Sequence, residues 1–265
     1  YVLPLLLAPP AIFGLVSGQF HYLATAAILA VLRWRESRPV LAGLILGLLT
    51  IKPQIGLFFP ILLLATRSWR VILVASLTAL AVAGLTALIW GVDVWLAYLN
   101  QGVANQSLVL SDPKNISELY MATPFINARS AGLAIGGAAV VQAVASLLAV
   151  ALVVMTFWRR PPADNLRANA IFLACATFGT PYMMSYDTLP LVAGMLLLMP
   201  ADPVGRLLTL MAWGLQLLQF AFGLFHLPGP ALVPIAIALY LVKQPASSTW
   251  VDQRNWPTGR TQESA

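Results

Sequence analysis

A single lysine lies between two apolar runs, where a charged side chain is costly. Lys52 stands in the sequence Thr-Ile-Lys-Pro-Gln at 50–54, and Pro53, which lacks a backbone N–H, ends a helix there. A lysine at mid-membrane depth costs about 2.5–3.5 kcal/mol on the insertion scale. A cation in this position would bind an anionic group such as a phosphate, with Gln54 as a second donor. The alternative is a lysine that extends to the membrane interface.

A single acid lies between two other short apolar runs. Asp187 ends the stretch 180–187, and an apolar run begins at Thr188. Aspartate is a good N-cap residue, so the first interpretation is that Asp187 caps the helix that follows. That role is compatible with a second one, in which the carboxylate binds sugar hydroxyls or orients Lys52.

Other polar residues are candidates for contacts to a substrate. Gln19 and His21 follow the first apolar run, and Gln19 is the better placed of the two for hydrogen bonding, because a lone histidine is more often structural. Asn105, Gln106 and Ser107 carry amides and a hydroxyl, which are natural ligands of sugars and phosphates, although a plain loop would contain them too.

Arg129 precedes the apolar run 131–157 and has two interpretations, an interface anchor or a second phosphate contact. The sequence contains no nucleophile motif, Walker loop, zinc spacing, dinucleotide fingerprint or Asp-x-Asp pair. We therefore predict neither a protein-bound metal nor a cofactor.

The composition determines the environment in which these residues work. Of 265 residues, 60% are hydrophobic and 9% are charged, whereas a soluble domain carries about 25% charged residues. This excludes an ordinary soluble enzyme, a nucleic-acid-binding module and a disordered protein. The net charge of +6 comes from basic residues scattered in twos and threes. We therefore predict an all-α, polytopic membrane protein with lipids, and not nucleic acid, around it.

The apolar runs predict about ten membrane segments. They are 1–16, 20–32, 39–51, 55–66, 71–90, 131–157, 168–181, 188–200, 207–225 and 231–242. Two pairs, 39–51 with 55–66 and 168–181 with 188–200, are too short to cross a hydrocarbon core of about 30 Å. We expect each pair to form a short helical hairpin whose tip lies within the membrane depth, facing a cavity on the non-cytoplasmic side.

Basic residues alternate between the connections and predict the orientation. Twelve of the fifteen lie on one side, and only Lys52, Lys114 and Arg129 lie on the other. By the positive-inside rule the first side is cytoplasmic. This divides the chain into a transmembrane domain at 1–242, a non-cytoplasmic loop at 91–130 within it, and a disordered cytoplasmic tail at 243–265.

Four short motifs together resemble glycosyltransferase family 87 over about residues 10–195. They are Gly18-Gln19 with Arg33, Ala42-Gly43 with Lys52-Pro53-Gln54, Asn105-Gln106-Ser107-Leu108, and the block from Pro181 to Asp187. The resemblance implies a GT-C fold and a polyprenyl-phosphate-linked sugar donor, typically mannose or an arabinose-like sugar. It also implies a lipid or glycan acceptor on the non-cytoplasmic face of a bacterial-type plasma membrane. It adds Tyr186 to the candidate substrate-binding residues.

The resemblance further implies an inverting transfer with an acidic general base in the first non-cytoplasmic loop. That loop is expected before Tyr1, so we expect the chain to be the C-terminal portion of a larger domain and inactive by itself. Interrupted helices with buried charge are also typical of secondary transporters and of flippases for lipids or lipid-linked sugars. A third possibility is a non-catalytic subunit that binds a lipid-linked sugar.

Overall fold

A computed structural model describes residues 2–111, 117–158 and 165–244, except for the side chains of Val103, Gln106 and Ser111. These residues form seventeen α-helices and no β-strand. In the first half the helices are α1 Val2–Leu6, α2 Pro9–Val16, α3 His21–Trp34, α4 Pro39–Leu48, α5 Pro53–Gly56, α6 Phe59–Ala65, α7 Trp69–Trp90, α8 Asp93–Ala97 and α9 Val103–Ser111.

In the second half they are α10 Ser117–Tyr120, α11 Pro124–Ser130, α12 Ile135–Phe157, α13 Asn165–Gly179, α14 Leu189–Leu198, α15 Pro203–Trp213, α16 Leu215–Leu224 and α17 Leu232–Lys243. Two 3₁₀ turns, Leu49–Ile51 and Ser185–Thr188, and a π-helical turn, Tyr98–Gly102, complete the described elements. The predicted outer loop is therefore largely helical, and the predicted tail lies almost entirely outside the described residues.

Two helices, α7 and α12, are long and apolar enough to cross a membrane. Taken together, helices α15 and α16 are also long and apolar enough to cross a membrane, but they are bent by 66° at Gly214. Four shorter apolar stretches have 10–17 residues: Pro39–Ile51, Pro53–Ala65, Ser185–Leu198 and Leu232–Lys243. The chain is thus an all-α membrane protein with two or three full-length spans in its described part, and ten membrane segments stay a prediction.

The first short hairpin is interrupted at Lys52. The residue before a proline is disfavoured in the α conformation, and Lys52 accordingly has φ −131° and ψ 74°. The chain tightens into the 3₁₀ turn before Lys52 and restarts as α5 with Pro53 in its first turn, where a missing N–H costs nothing. The break therefore follows from the Lys-Pro sequence and leaves the Lys52 side chain between two helices.

Two glycines one helical turn apart allow α4 to lie directly against the long helix α7. A Cβ on Gly43 would lie 2.6 Å from the Cβ of Val74, and one on Gly47 would lie 2.7 Å from the carbonyl oxygen of Ala75. Small residues at this spacing are how helices approach closely in a membrane. The first half of the short hairpin is therefore fixed against a full-length span.

The second interruption lies between α13 and α14. Helix α13 ends at Gly179, and Pro181 follows, so the last carbonyls of α13 have no helical partner. The side chains of Gln142 and Ser146 on α12 donate to the Gly179 carbonyl at 3.2 and 2.6 Å. This break in a membrane helix is thus stabilised by polar groups of a neighbouring helix.

Candidate functional site

The two interruptions meet in a buried ion pair. The Lys52 Nζ lies 2.5 Å from the Asp187 Oδ1, across 135 residues of sequence. The side chains are 11% and 1% exposed, respectively. Each charge is therefore largely removed from water and compensated by the other, and the option that Asp187 orients Lys52 agrees with this contact.

The prediction that Asp187 caps the following helix is wrong. Asp187 lies inside the 3₁₀ turn Ser185–Thr188, and Thr188, which precedes α14, has helical φ and ψ angles and makes no capping hydrogen bond. An N-cap residue needs extended backbone angles to accept from the N–H groups ahead of it. The 3₁₀ turn leads directly into α14, which turns the Asp187 carboxylate towards Lys52 instead.

Aromatic rings surround the ammonium group of Lys52. Its Nζ lies 4.5 Å from the ring centroid of Tyr186 and 5.8 Å from that of Phe20. The Tyr186 ring in turn packs against Phe13, with centroids 6.0 Å apart, and Phe13 stacks on Tyr120 at 4.7 Å. Ring faces attract cations, so Lys52 is held between a carboxylate and an aromatic face. Tyr186 is therefore part of this site.

Close packing brings the two interruptions together. A Cβ on Gly179 would collide with the buried ring of Phe58, which follows the first break, and would lie 2.9 Å from the Cβ of Ala149. On the other side, the Ser185 hydroxyl donates to the carbonyl of Tyr120 at 2.8 Å and contacts the Gln216 side chain. The ion pair is thus positioned from both directions.

The pair retains unused hydrogen-bonding capacity. A lysine ammonium group has three N–H donors, and the structure shows one hydrogen bond from Lys52 to a described residue, the one to Asp187. The second carboxylate oxygen of Asp187 is buried and has no hydrogen-bond partner among the described residues. The pair therefore has unused donors and one unused acceptor, and the acceptor atom is shielded from solvent in this structure.

His21 is buried near this site, 2% exposed. The Nδ1 of His21 lies 3.0 Å from the Gln19 carbonyl oxygen. The ring packs so closely against Gly14 that a Cβ on that glycine would collide with it. Lys52 is near enough to interact electrostatically with the imidazole. Its Nε2 has no hydrogen-bond partner among the described residues, nor has the hydroxyl of Thr25 one turn later. The side chains of Gln19 and Gln54 are half-buried.

Four predicted residues have no described contact with the ion pair. Asn105 and Ser107 are exposed on α9, where the Ser107 hydroxyl donates to the Ala104 carbonyl at 3.0 Å. Gln106 lies on the same helix, but its side chain is outside the described ones. Arg129 donates from Nη1 to the Leu133 carbonyl at 2.7 Å, just beyond the C-terminal end of α11. That contact favours a local structural role for the arginine.

Sequence reasoning missed a second buried acid. Glu118 on α10 is 5% exposed in its side chain, and its Oε2 lies 2.6 Å from Nδ1 of His226, whose own side chain is 68% exposed. The Gln219 side chain donates to the Glu118 carbonyl at 2.6 Å. Glu118 stands two residues before Tyr120, whose ring belongs to the aromatic contacts above. The sequence signal that could have identified it was the presence of Glu118, an acid, in the polar stretch 91–130.

Comparison with known families gives the chain its classification. The sequence model of glycosyltransferase family 87 matches residues 1–185, which include Lys52 and end two residues before Asp187. Comparison with curated proteins and with solved structures finds no match. The family match covers well over half of the chain, and the apolar helices agree with a membrane glycosyltransferase. The chain belongs to glycosyltransferase family 87.

Proposed function

We propose that the protein transfers a hexose from a polyprenyl-phosphate donor to a lipid or glycan acceptor, with mannose as the first candidate sugar. The reaction takes place on the non-cytoplasmic face of a bacterial-type plasma membrane. The observation that carries the proposal is the buried pair of Lys52 and Asp187 at two interrupted helices. A buried cation between broken helices suits a membrane transferase whose leaving group is a lipid phosphate.

Lys52 binds the donor phosphate in this proposal. When the bond between the anomeric carbon and the phosphate oxygen breaks, the electron pair leaves with the phosphate, which gains negative charge. A preorganised cation in a site with little water stabilises that charge more strongly than a solvated one. The two N–H donors of Lys52 that Asp187 does not use would point at the phosphate, and Gln54 would add a donor beside it.

Asp187 has two tasks in this proposal. It keeps Lys52 charged and oriented in a poorly hydrated site, and its second oxygen accepts a hydrogen bond from a sugar hydroxyl. Tyr186 supports the cation from the ring face. Gln19 and His21 would contact the sugar from α3 and the turn before it. We place Asn105, Gln106, Ser107 and Arg129 in an outer segment that covers the donor when it is bound.

The chemistry is a single displacement with inversion. The acceptor hydroxyl attacks the anomeric carbon, a general base takes the hydroxyl proton, and the polyprenyl phosphate leaves. About ten membrane segments, with the arginine-rich connections in the cytoplasm, would surround the site. The interrupted helices and buried charge also favour a transporter or flippase of lipid-linked sugars as the second candidate, and family membership favours the transferase.

The experiment is a transfer assay on the protein expressed from its complete gene and reconstituted in liposomes. The donor is a short-chain polyprenyl-phosphate mannose with a radiolabelled sugar, offered with membrane lipid extract as acceptor. Lys52→Met should lower the transfer rate by about 100-fold or more, whereas Lys243→Met, which removes an exposed lysine at the end of α17, should keep the wild-type rate. Unchanged transfer by Lys52→Met contradicts the phosphate role, and movement of intact donor across the bilayer without transfer supports the flippase.

A further inference from the structure

A second site lies at the C-terminal end of α14, whereas Asp187 precedes the N-terminal end of that helix. There α14, α15 and the turn between them line an open cleft of about 590 Å³. Its lining is apolar apart from one arginine and one threonine. The residues that matter here are Leu196, Met199, Arg206, Thr209, Leu210 and Trp213. An open apolar cleft with one cation in its lining has the character of a lipid site, with a charged end and a long hydrophobic end.

Within the described part of the chain, the charge of Arg206 has no ion-pair partner. The structure shows no hydrogen bond or ion pair between its side chain and any described residue, and the residue is exposed. The nearest acid on the chain is Asp202, whose carboxylate accepts hydrogen bonds from the Tyr240 hydroxyl and, at 3.0 Å, from the Gly205 N–H. Asp202 is engaged as the N-cap of α15 and forms no ion pair with Arg206 in the structure.

The position of Arg206 on its helix suits a contact with a lipid phosphate. Helices α15 and α16 together satisfy the criteria for a membrane-crossing segment, and Arg206 lies in the first turn of α15. The first turn of a spanning helix lies at the boundary between hydrocarbon and head groups. A basic side chain at that boundary attracts anionic lipid, and here the apolar lining continues from it along Leu210 and Trp213 towards the hydrocarbon.

We propose that this cleft binds one molecule of an anionic phospholipid. The guanidinium group of Arg206 binds the phosphate, for which its fork of N–H donors is well suited. One acyl chain lies along Leu196, Leu210 and Trp213. The lipid is a bound structural partner and not a substrate, so the proposal does not depend on the transfer reaction.

The test is native mass spectrometry of the protein in detergent, titrated with dioleoyl phosphatidylglycerol or dioleoyl phosphatidylcholine. Wild-type protein should retain one phosphatidylglycerol in preference to phosphatidylcholine. Arg206→Gln should weaken that binding about tenfold, the loss of one charge-assisted contact. The matched control is Arg70→Gln, which removes an exposed arginine from the first turn of α7. Arg70 lines none of the described clefts, so this variant should bind the lipid like wild type.

A second pair of variants tests the hydrophobic end. Leu210→Trp fills the cleft and should also reduce retention, whereas Leu207→Trp adds the same ring at an exposed position of α15 outside the cleft lining. Equal losses in Arg206→Gln and Arg70→Gln would show general attraction between arginines and lipid and would overturn the proposal. Equal retention of the two lipids, or displacement of the lipid by soluble glycerol phosphate, would overturn it as well.

Discussion

Asp187→Asn removes one charge of the buried pair while it preserves the size of the side chain. The Lys52 ammonium group would then remain buried without a counter-charge. Removal of one partner from a buried ion pair costs about 3–5 kcal/mol, and exposures of 11% and 1% place this pair in that class. The contact between Lys52 and the Tyr186 ring at 4.5 Å is present before and after the substitution, so it does not change this difference. We therefore expect the free energy of unfolding to fall by about 3–5 kcal/mol.

The double variant Lys52→Met with Asp187→Asn leaves no buried charge. Hydrophobic replacements of similar volume are often tolerated in place of a buried ion pair. The double variant should therefore recover stability to within about 2 kcal/mol of wild type, the remainder being the cost of the buried Asn amide without its partner. Chemical unfolding in detergent micelles, followed by tryptophan fluorescence, measures both values. Asp93→Asn, a change at an exposed acid, is the control and should stay within about 0.5 kcal/mol.

Stability and transfer should separate in the double variant. It should fold like wild type and yet transfer no sugar, because the cation for the phosphate is gone. If Asp187→Asn unfolds at the wild-type denaturant concentration, or if the double variant is less stable than either single variant, the buried pair does not exist as described. If the double variant transfers sugar normally, the ion pair is structural and the proposed role of Lys52 is wrong.

Two further predictions concern packing and pH. Gly179→Ala should lower the free energy of unfolding by about 1–3 kcal/mol, because the new Cβ collides with the Phe58 ring. Gly136 has open space around it, so the control Gly136→Ala should not destabilise the protein. Equal effects of the two substitutions would contradict the close contact at Gly179. Hydrogen bonds from the Tyr240 hydroxyl and a backbone N–H hold the pKa of Asp202 below its ordinary value of 3.8. The stabilisation from these bonds is therefore complete above about pH 4 and is lost as the pH falls through the lower pKa of the folded state. When unfolding is measured as a function of pH, Tyr240→Phe should be less stable than wild type near neutral pH, and the difference should shrink in acid.

Composition and local pattern predicted the helical elements well. The runs 71–90 and 131–157 correspond to α7 and α12 within a few residues, because a long apolar stretch has no alternative in a membrane. Pro53 correctly marked the first interruption. The run 207–225, by contrast, is bent by 66°, and nothing in its hydrophobicity distinguishes a straight helix from one that turns at a glycine.

Lys52 and Asp187 could be singled out from the sequence, and a contact between them was one of the options for Asp187, but the geometry of that contact could not be predicted. Lys52 and Asp187 were singled out because each is expensive in its own surroundings, and that reasoning needs only local sequence. Their pairing across 135 residues depends on how the helices pack, which no local pattern encodes. The same holds for Glu118 and His226, since an acid in a loop and a distant histidine have no visible relation before the chain is folded.

Helix α12 explains how a membrane protein can keep such a site. An interrupted helix exposes carbonyl groups that lipid cannot satisfy, and Gln142 and Ser146 provide the missing donors to Gly179. The Gln142 side chain also accepts from the Phe125 N–H at 3.0 Å, so one residue of α12 connects the second interruption to α11. Because the 3₁₀ turn with Asp187 begins only six residues after Gly179, the position of the carboxylate depends on this polar support. The sequence therefore places Lys52 and Asp187 where helices are broken, and the long, largely apolar helix α12 carries the polar groups that stabilise the second break.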